Sequence, residues 1–554
     1  MVDQAAARGG LFKVLWAIGL VSLLAAIQVF QAQHVEYAKA SASINAAPMG
    51  TNPFAYIGMT SYSNTTYCDP NSARDGYPED YGAYGSSGCQ LEENYVNLLS
   101  EALALVQPIP GRADHKALAD LGYNLVQLDN GWQGPRVNGV ITPNPERYCI
   151  PPPFAFHDCD TTGGTTSDFT GLINQIKNMT GPVTHLPLEV GIYSDEGSGI
   201  GCNTGVPYST GNGLMGHENQ DASTFEGWGL TYLKIDYLCT GYCDTSEVAA
   251  IHTAFSTYAP DIRTDIFWCG PLTGSSAIWR LGSDECGCID NDTGDGSSIF
   301  DQLAAADAIP PADAVGYNNW DDLDNLLVHG VGGYGIYKSQ HNPWLSQLEQ
   351  RTQFGLEALT SSPLLIGADV RAVVGGTYNN MVGNYAKGGR VTSVTYSADT
   401  DALKIVGNED AIWVDQDNHI EVAPKVAGDS TYDVRSKILT NFSQTGTRAV
   451  GLLNRSDANG GSCTSASCIS FSFNTLRRDD GSSGGLTNVQ HVYYLWSFSP
   501  GSGSQDLVNS TGTVALAGST VWYNCNASGC TFGNSTNQIP PHGLILLKVQ
   551  GTST

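Results

Sequence analysis

A (β/α)8 TIM barrel followed by a C-terminal antiparallel β-sandwich is the fold class this α/β sequence predicts, on three observations. From about Phe54 to Asp369 short apolar runs alternate with helix-period segments, the pattern of parallel strands joined by crossover helices. The runs number eight, which is the barrel count. After about Val422 the texture changes to alternating Thr, Ser, Val and Tyr broken by Gly and Asn, as in RAVGLLNRSD, VYYLWSFS and TVALAGSTVWYN, which reads as sandwich strands separated by turns.

In chain order the expected barrel strands are residues 56–60, 125–129, 188–193, 232–236, 266–269, a poorly defined strand near Asp284, 314–317 and 363–366. Helical patterns between them cover 91–105, 169–179, 246–258, 299–308 and 348–359, each with apolar residues three or four apart. The expected organisation is a leader and linker over 1–45, a barrel over 46–421 and a sandwich over 422–554.

Arg8 and Lys13 precede an uncharged run from Val14 to Phe30, long for a signal-peptide core and slightly short for a membrane span. Either reading exports the remainder of the chain. Ala38-Lys39-Ala40 offers a small-residue cleavage pattern, and an uncleaved anchor that tethers the chain to a membrane is the alternative to secretion. No later segment approaches spanning length.

Fourteen cysteines support export, because Cys149 with Cys159, Cys463 with Cys468 and Cys525 with Cys530 lie close enough to pair as disulfides. A structural zinc needs Cys-x-x-Cys clusters or nearby His ligands, and Cys286-Gly-Cys288 and the Cys239 to Cys243 spacing offer neither. No metal or other cofactor is expected. Sequons at Asn64, Asn178, Asn291, Asn441, Asn454, Asn509, Asn526 and Asn534 are glycan acceptors if the chain passes a eukaryotic secretory route.

With 26 Lys and Arg against 54 Asp and Glu, the formal charge is −28, which excludes a nucleic-acid partner because phosphate binding needs clustered cations. Several expected strands end in an acid: Asp129 after LVQL, Asp195 after GIYS and Asp236 after YLKI. Barrel enzymes build their sites at the carboxyl ends of the strands. Carboxylates placed there, with many Trp and Tyr residues, suggest glycoside hydrolysis, since sugars stack on rings and bond cleavage uses two carboxyl groups.

Seven segments carry a resemblance: GIYSDEGSGIGC, GHENQDASTFEGWGLTYLKID, WRLGSD, NNWDDLDNL, SSPLLIGADVR, NEDAIWVDQD and IPPHGLILLKV. Together, in order from about Gly58 to Lys548, they resemble glycoside hydrolase family 27, the α-galactosidase and α-N-acetylgalactosaminidase family. The resemblance implies a retaining mechanism with Asp236 as nucleophile and Lys234 holding sugar hydroxyls beside it. It places the general acid at Asp284, four residues after Arg280, and a contact to the sugar 2-hydroxyl at Arg280. Asp324 falls where the family has a sugar-facing Asp, while Asp322 is structural. Asp129, Asn130 and Trp132 fall on the segment that binds the far edge of galactose around the 4- and 6-hydroxyls. The resemblance also pairs Cys202 with Cys239, which would brace the loop carrying the nucleophile. A carbohydrate substrate is the implied partner.

Three departures from the family pattern bear on the sugar. The paired Asp-Asp becomes Asp129-Asn130, a Trp near the first strand becomes Met59, and the Glu of a Cys-Glu-Trp motif is replaced by Gly270 after Cys269. All three touch recognition rather than cleavage, because an amide keeps an acceptor while losing the charge. Isomaltose-releasing, β-L-arabinopyranoside and α-N-acetylgalactosaminide activities, hydrolytic or transglycosylating, are therefore alternatives to α-galactoside hydrolysis. A non-catalytic sugar-binding barrel is a further alternative, opposed by the presence of both Asp236 and Asp284. The GVGGYG string at Gly330–Gly335 lacks the strand-to-helix context of a dinucleotide fingerprint, and His217 lacks the second His of a metal motif.

Overall fold

The computed structural model describes residues 46–52, 94–129, 132–134, 136–143, 148, 159–160, 165–166, 169–197, 213–236, 245–267, 278–283, 285, 287–290, 297–309, 320–329, 345–382, 390–441, 446–457, 465–497 and 504–553. Eight parallel strands form one sheet: β1 (Met49–Thr51), β2 (Leu125–Gln127), β3 (Glu189–Asp195), β4 (Tyr232–Asp236), β5 (Arg263–Phe267), β6 (Ile278–Arg280), β7 (Trp320–Asp322) and β8 (Leu364–Ile366). Their order is β8-β1-β2-β3-β4-β5-β6-β7. Beyond β7 the chain closes the ring, with Leu326 N–H donating to the Leu365 carbonyl and Gly367 N–H donating back to Leu326. This is a (β/α)8 barrel.

The crossover helices among the described residues are α1 (Tyr95–Val106), α2 (Thr170–Lys177), α3 (Glu218–Trp228), α4 (Thr245–Tyr258), α5 (Ile299–Ala308) and α6 (Gln347–Thr360). Local chemistry sets several starts. Ser298 and Ser346 close capping boxes with Asp301 and Glu349, satisfying amides that have no partner within the helix. After β8 come α7 (Val370–Val374), the hairpin β9 (Gly376–Val382) with β10 (Arg390–Tyr396), then α8 (Thr400–Val406) and α9 (Glu409–Asp415).

Strand positions differ from expectation at four places: β5 is Arg263–Phe267 rather than 266–269, β6 is Ile278–Arg280 rather than a strand near Asp284, and the first and seventh strands are displaced further. The first place in the barrel is held by Met49–Thr51, paired with β2 and β8, and the expected 56–60 segment lies outside the described residues. The seventh strand is Trp320–Asp322, and the expected 314–317 segment also lies outside the described residues. Neither observed strand, MGT or WDD, is an apolar run that would announce it.

Register shows how the barrel fills. A tilt of about one residue per strand, as in an eight-stranded barrel of shear 8, puts residues of alternate strands in one layer. Leu125, Tyr232, Ile278 and Leu365, from the even strands, form the lowest layer, packed with Ala47, Trp320 and Ile420. Above them, from the odd strands, come Gly50, Gly191, Asp265 and Asp322, and then Gln127, Lys234 and Arg280 from even strands again. Gly191 is required here, since a Cβ would stand 2.8 Å from the Tyr232 ring. The barrel interior is therefore apolar below and charged above.

The C-terminal region is an antiparallel β domain. A six-stranded sheet has the order β11 (Lys425–Gly428), β12 (Tyr432–Leu439), β13 (Thr447–Asn454), β20 (Leu544–Ser553), β15 (Leu486–Tyr494) and β16 (Gln505–Asp506). A four-stranded sheet has the order β14 (Ile469–Ser472), β19 (Gly529–Phe532), β18 (Ser519–Asn526) and β17 (Thr511–Leu516). The expected Cys525–Cys530 bridge joins β18 to β19; Cys288 and Cys468 are also disulfide-bonded. The expected Cys202–Cys239 pair lies outside the described residues. Asn454 is buried, with its amide donating to the Ile539 and Pro540 carbonyls, so this sequon is closed to a glycan in the folded chain.

Helix α6 joins the two parts. Gly355 on it lets Leu544 of β20 approach to where a Cβ would meet it at 2.4 Å. The wholly buried Lys437 of β12 donates to the Ala358 carbonyl at the end of α6 and to the Val414 carbonyl in α9. A cation there satisfies helix-end carbonyls and suits the negative pole of each helix. Among the described residues, no helix is long and apolar enough to cross a membrane.

Candidate active site

The carboxyl ends of the strands gather most of the sequence-predicted residues. Asp129 follows β2 and Lys234 lies on β4; the Lys234 ammonium is 2.9 Å from Asp129 Oδ2, and both side chains are more than nine-tenths buried. Asn52, just beyond β1, donates its amide to the same oxygen at 2.9 Å. The Tyr193 ring lies beneath the ammonium at 5.8 Å. Side chains from the ends of β1 and β4 thus converge on the carboxylate that follows β2. Asp236 ends β4 two residues after Lys234, so the strand's alternation turns it to the same interior face.

A second cluster forms on β6 and β7. Arg280 donates to Asp324 Oδ2 at 2.6 Å, and the Glu285 backbone N–H donates to that oxygen at 2.9 Å. Asp324 in turn receives the Asn325 amide on Oδ1 and donates its own N–H to Asp322. Its φ of 73° is left-handed, a conformation that Asp tolerates better than most residues. These contacts tie Arg280 and Glu285 to Asp324 in the segment after β7.

Behind Asp324, Gln353 of α6 donates to both Glu285 oxygens, at 3.2 and 3.0 Å, and to the Asn325 carbonyl at 2.8 Å. Burial and then the Asp324 charge push the Glu285 carboxyl well above the usual range. A neutral Glu285 suits its place, since a second buried negative charge beside Asp324 would have no cation of its own, Arg280 being paired with Asp324.

Trp132 is corrected by the structure. Its ring is about 1% exposed and packs against Phe169, Phe225 and Trp228, with centroids at 5.4, 6.1 and 5.9 Å. Its indole N–H donates to the Tyr193 carbonyl at 2.8 Å. The ring belongs to the core between the barrel wall and helices α2 and α3, leaving no face for a sugar. Asn130, Asp284, Met59 and Gly270 lie outside the described residues.

Sequence reasoning missed Asn52, Tyr193, Tyr232, Asp265, Glu285 and Gln353. Asp265 carried a signal: it is a charged residue inside the RTDIF strand, on the interior-facing alternation of β5. Gln353 carried none, because it lies on a helix far along the chain. Among the described residues, no group of three or more His, Cys, Asp or Glu side chains is arranged to hold a metal ion.

No family model matches the chain. An α-galactosidase of Oryza sativa subsp. japonica is 27% identical over 338 residues, 60% of this chain and 64% of that protein; the match thus spans less than two thirds of the relative's length. The crystal structure of α-galactosidase I from Mortierella vinacea superposes with a TM-score of 0.56 at 18% identity, covering 92% of this chain and 98% of that one. That of a GH27 β-L-arabinopyranosidase from Geobacillus stearothermophilus gives 0.52 at 15% identity, covering 93% and 98%. These two likenesses bear on the fold.

Proposed function

Because the chain is a relative of the α-galactosidases of glycoside hydrolase family 27, we propose that it is an exported, retaining glycoside hydrolase that removes terminal α-D-galactosyl residues from oligo- or polysaccharides. The observation that carries the reading is the Lys234–Asp129 pair beside Asp236. It supplies an anchored cation and a carboxylate where sugar hydroxyls would be held next to a nucleophile. In this reading Asp236 attacks the anomeric carbon while Asp284 protonates the leaving oxygen. Asp284 then removes a proton from water, which displaces the sugar from Asp236 with the original configuration restored. Lys234, Asp129, Asn130, Arg280 and Asp324 bind the sugar.

A second reading keeps the chemistry and changes the sugar. Asn130 and Gly270 favour it, since both stand where the family has an acid. The test is kcat/KM on nitrophenyl α-galactoside, α-N-acetylgalactosaminide, β-L-arabinopyranoside and an isomaltosyl substrate, for the native chain and Asn130→Asp. Preference for the α-galactoside supports the first reading. Activity on it that appears only in Asn130→Asp makes residue 130 a specificity switch and overturns the first reading.

A further inference from the structure

One layer below the sugar-binding residues lies a pair of carboxyls to which the proposed chemistry assigns no role. Asp265 and Asp322 come from β5 and β7, and the barrel's tilt brings them into the same layer. They are 2% and 3% exposed, Asp265 Oδ1 has no donor among the described residues, and the two carboxyls lie within reach of a shared proton. Two carboxyl groups so placed, away from water, cannot both ionise, so they hold a proton between them.

The surroundings decide which one keeps it. Asp265 Oδ2 accepts the Tyr232 hydroxyl at 2.5 Å, and Asp265 is in register with Lys234 on the next strand. Asp322 faces two negative neighbours, Asp265 and Asp324, and the guanidinium beside it, Arg280, is already committed to Asp324. Oδ1 of Asp322 accepts the Asp324 N–H at 2.9 Å. Donors and cations collect around Asp265, and anions around Asp322.

We propose that Asp265 and Asp322 are positioning residues that act as a one-proton dyad, in which neutral Asp322 donates to the Asp265 carboxylate and the pair holds Lys234 and Arg280 in place for the sugar. Burial followed by the Asp265 and Asp324 charges pushes Asp322 well above the usual carboxyl range, in keeping with its being the protonated member. The dyad explains why this layer carries acids where an apolar layer would cost less: buried carboxyls are expensive unless paired. It sets a fixed negative charge beneath two cations, so the ammonium and the guanidinium are aimed before a sugar arrives, which is where preorganisation gains rate. The positioning role rests on the function proposed above; the shared proton does not.

The test uses the full chain and three variants: Asp322→Asn, which keeps a neutral donor for Asp265 and an acceptor for the Asp324 amide; Asp322→Leu, which keeps only volume; and Asp265→Asn, which removes the charge. The expected kcat/KM loss is less than about tenfold for Asp322→Asn. For the other two it is about 100-fold, the scale of a misplacement near 1 Å, with KM rising in each. Rescue by Asn over Leu is the signature of the neutral donor. A loss in Asp322→Asn equal to that in Asp265→Asn overturns the protonation assignment. Infrared difference spectra provide the reading that does not depend on activity. Native minus Asp322→Asn should show the deuterium-sensitive carbonyl band of one protonated carboxyl, and its absence overturns the dyad. If no glycoside is turned over by the native chain while the band is present, the function reading fails and the dyad stands.

Discussion

The Lys234 ammonium and the Asp129 carboxylate meet at 2.9 Å across the upper barrel, from β4 and the end of β2, with almost no solvent access. Removing one member of a buried pair leaves an uncompensated charge, which costs about 3–5 kcal/mol. Lys234→Met and Asp129→Asn should each lower the melting temperature, while the double variant should lose less than the sum. A double-mutant cycle from denaturant unfolding measures this coupling. Additive losses would mean that the two groups do not depend on each other.

Asp284→Asn should separate substrates by leaving group. Aryl galactosides with acidic phenols need little protonation and should keep most of their first-step rate, whereas an alkyl or sugar leaving group should lose about 100-fold or more. Equal losses on both classes would remove Asp284 from the acid role.

Trp132 should behave as a core residue. Trp132→Ala should cost about 3–5 kcal/mol by loss of packing, seen in the urea midpoint. Trp132→Phe should leave KM for a small galactoside unchanged, because the ring has no exposed face. A large KM effect in a variant with native stability would return the ring to the sugar site.

Stability should be greatest at mildly acidic pH. Burial raises Asp321 to about 7, and burial, opposed by the Lys437 charge, also raises Asp415 to about 7. An unfolded Asp titrates at about 3.9. Between these values the native state holds protons that the unfolded chain releases, so stability falls as pH rises from about 4 to about 7. Asp399 acts in the opposite direction: its bond to His329 lowers it to about 2, so its contribution is lost as pH falls from about 4 through 2. Melting curves should therefore show a decline from pH 5 towards 7, flattened in Asp321→Asn. A melting temperature that climbs across that window would contradict the buried neutral acids.

Much of the fold was legible because periodicity survives in long elements. β4 and α5 fall on the expected residues, and β8, α4 and α6 lie within a residue or two of them. The first and seventh strands were misplaced because MGT and WDD are not apolar runs, whereas the equally short LLI of β8 is. In the site, YLKID and LDNGW marked Lys234, Asp236 and Asp129, whose strand-end positions follow from the fold class. Trp132 was misjudged because an aromatic beside a site and an aromatic behind it look alike in sequence; packing by α2 and α3 decides. Asn52, Glu285 and Gln353 escaped because their roles arise from contacts between distant strands and a helix, which no local pattern encodes.

The most direct test of the double displacement at Asp236 is proton NMR of the first-formed sugar during hydrolysis of nitrophenyl α-galactoside, run in parallel on the native chain and Asp236→Asn. Double displacement predicts α-galactose first, converting to the β-anomer only by mutarotation, and no sugar from a folded Asp236→Asn variant. β-Galactose appearing first, or undiminished turnover without the Asp236 carboxylate, would contradict it.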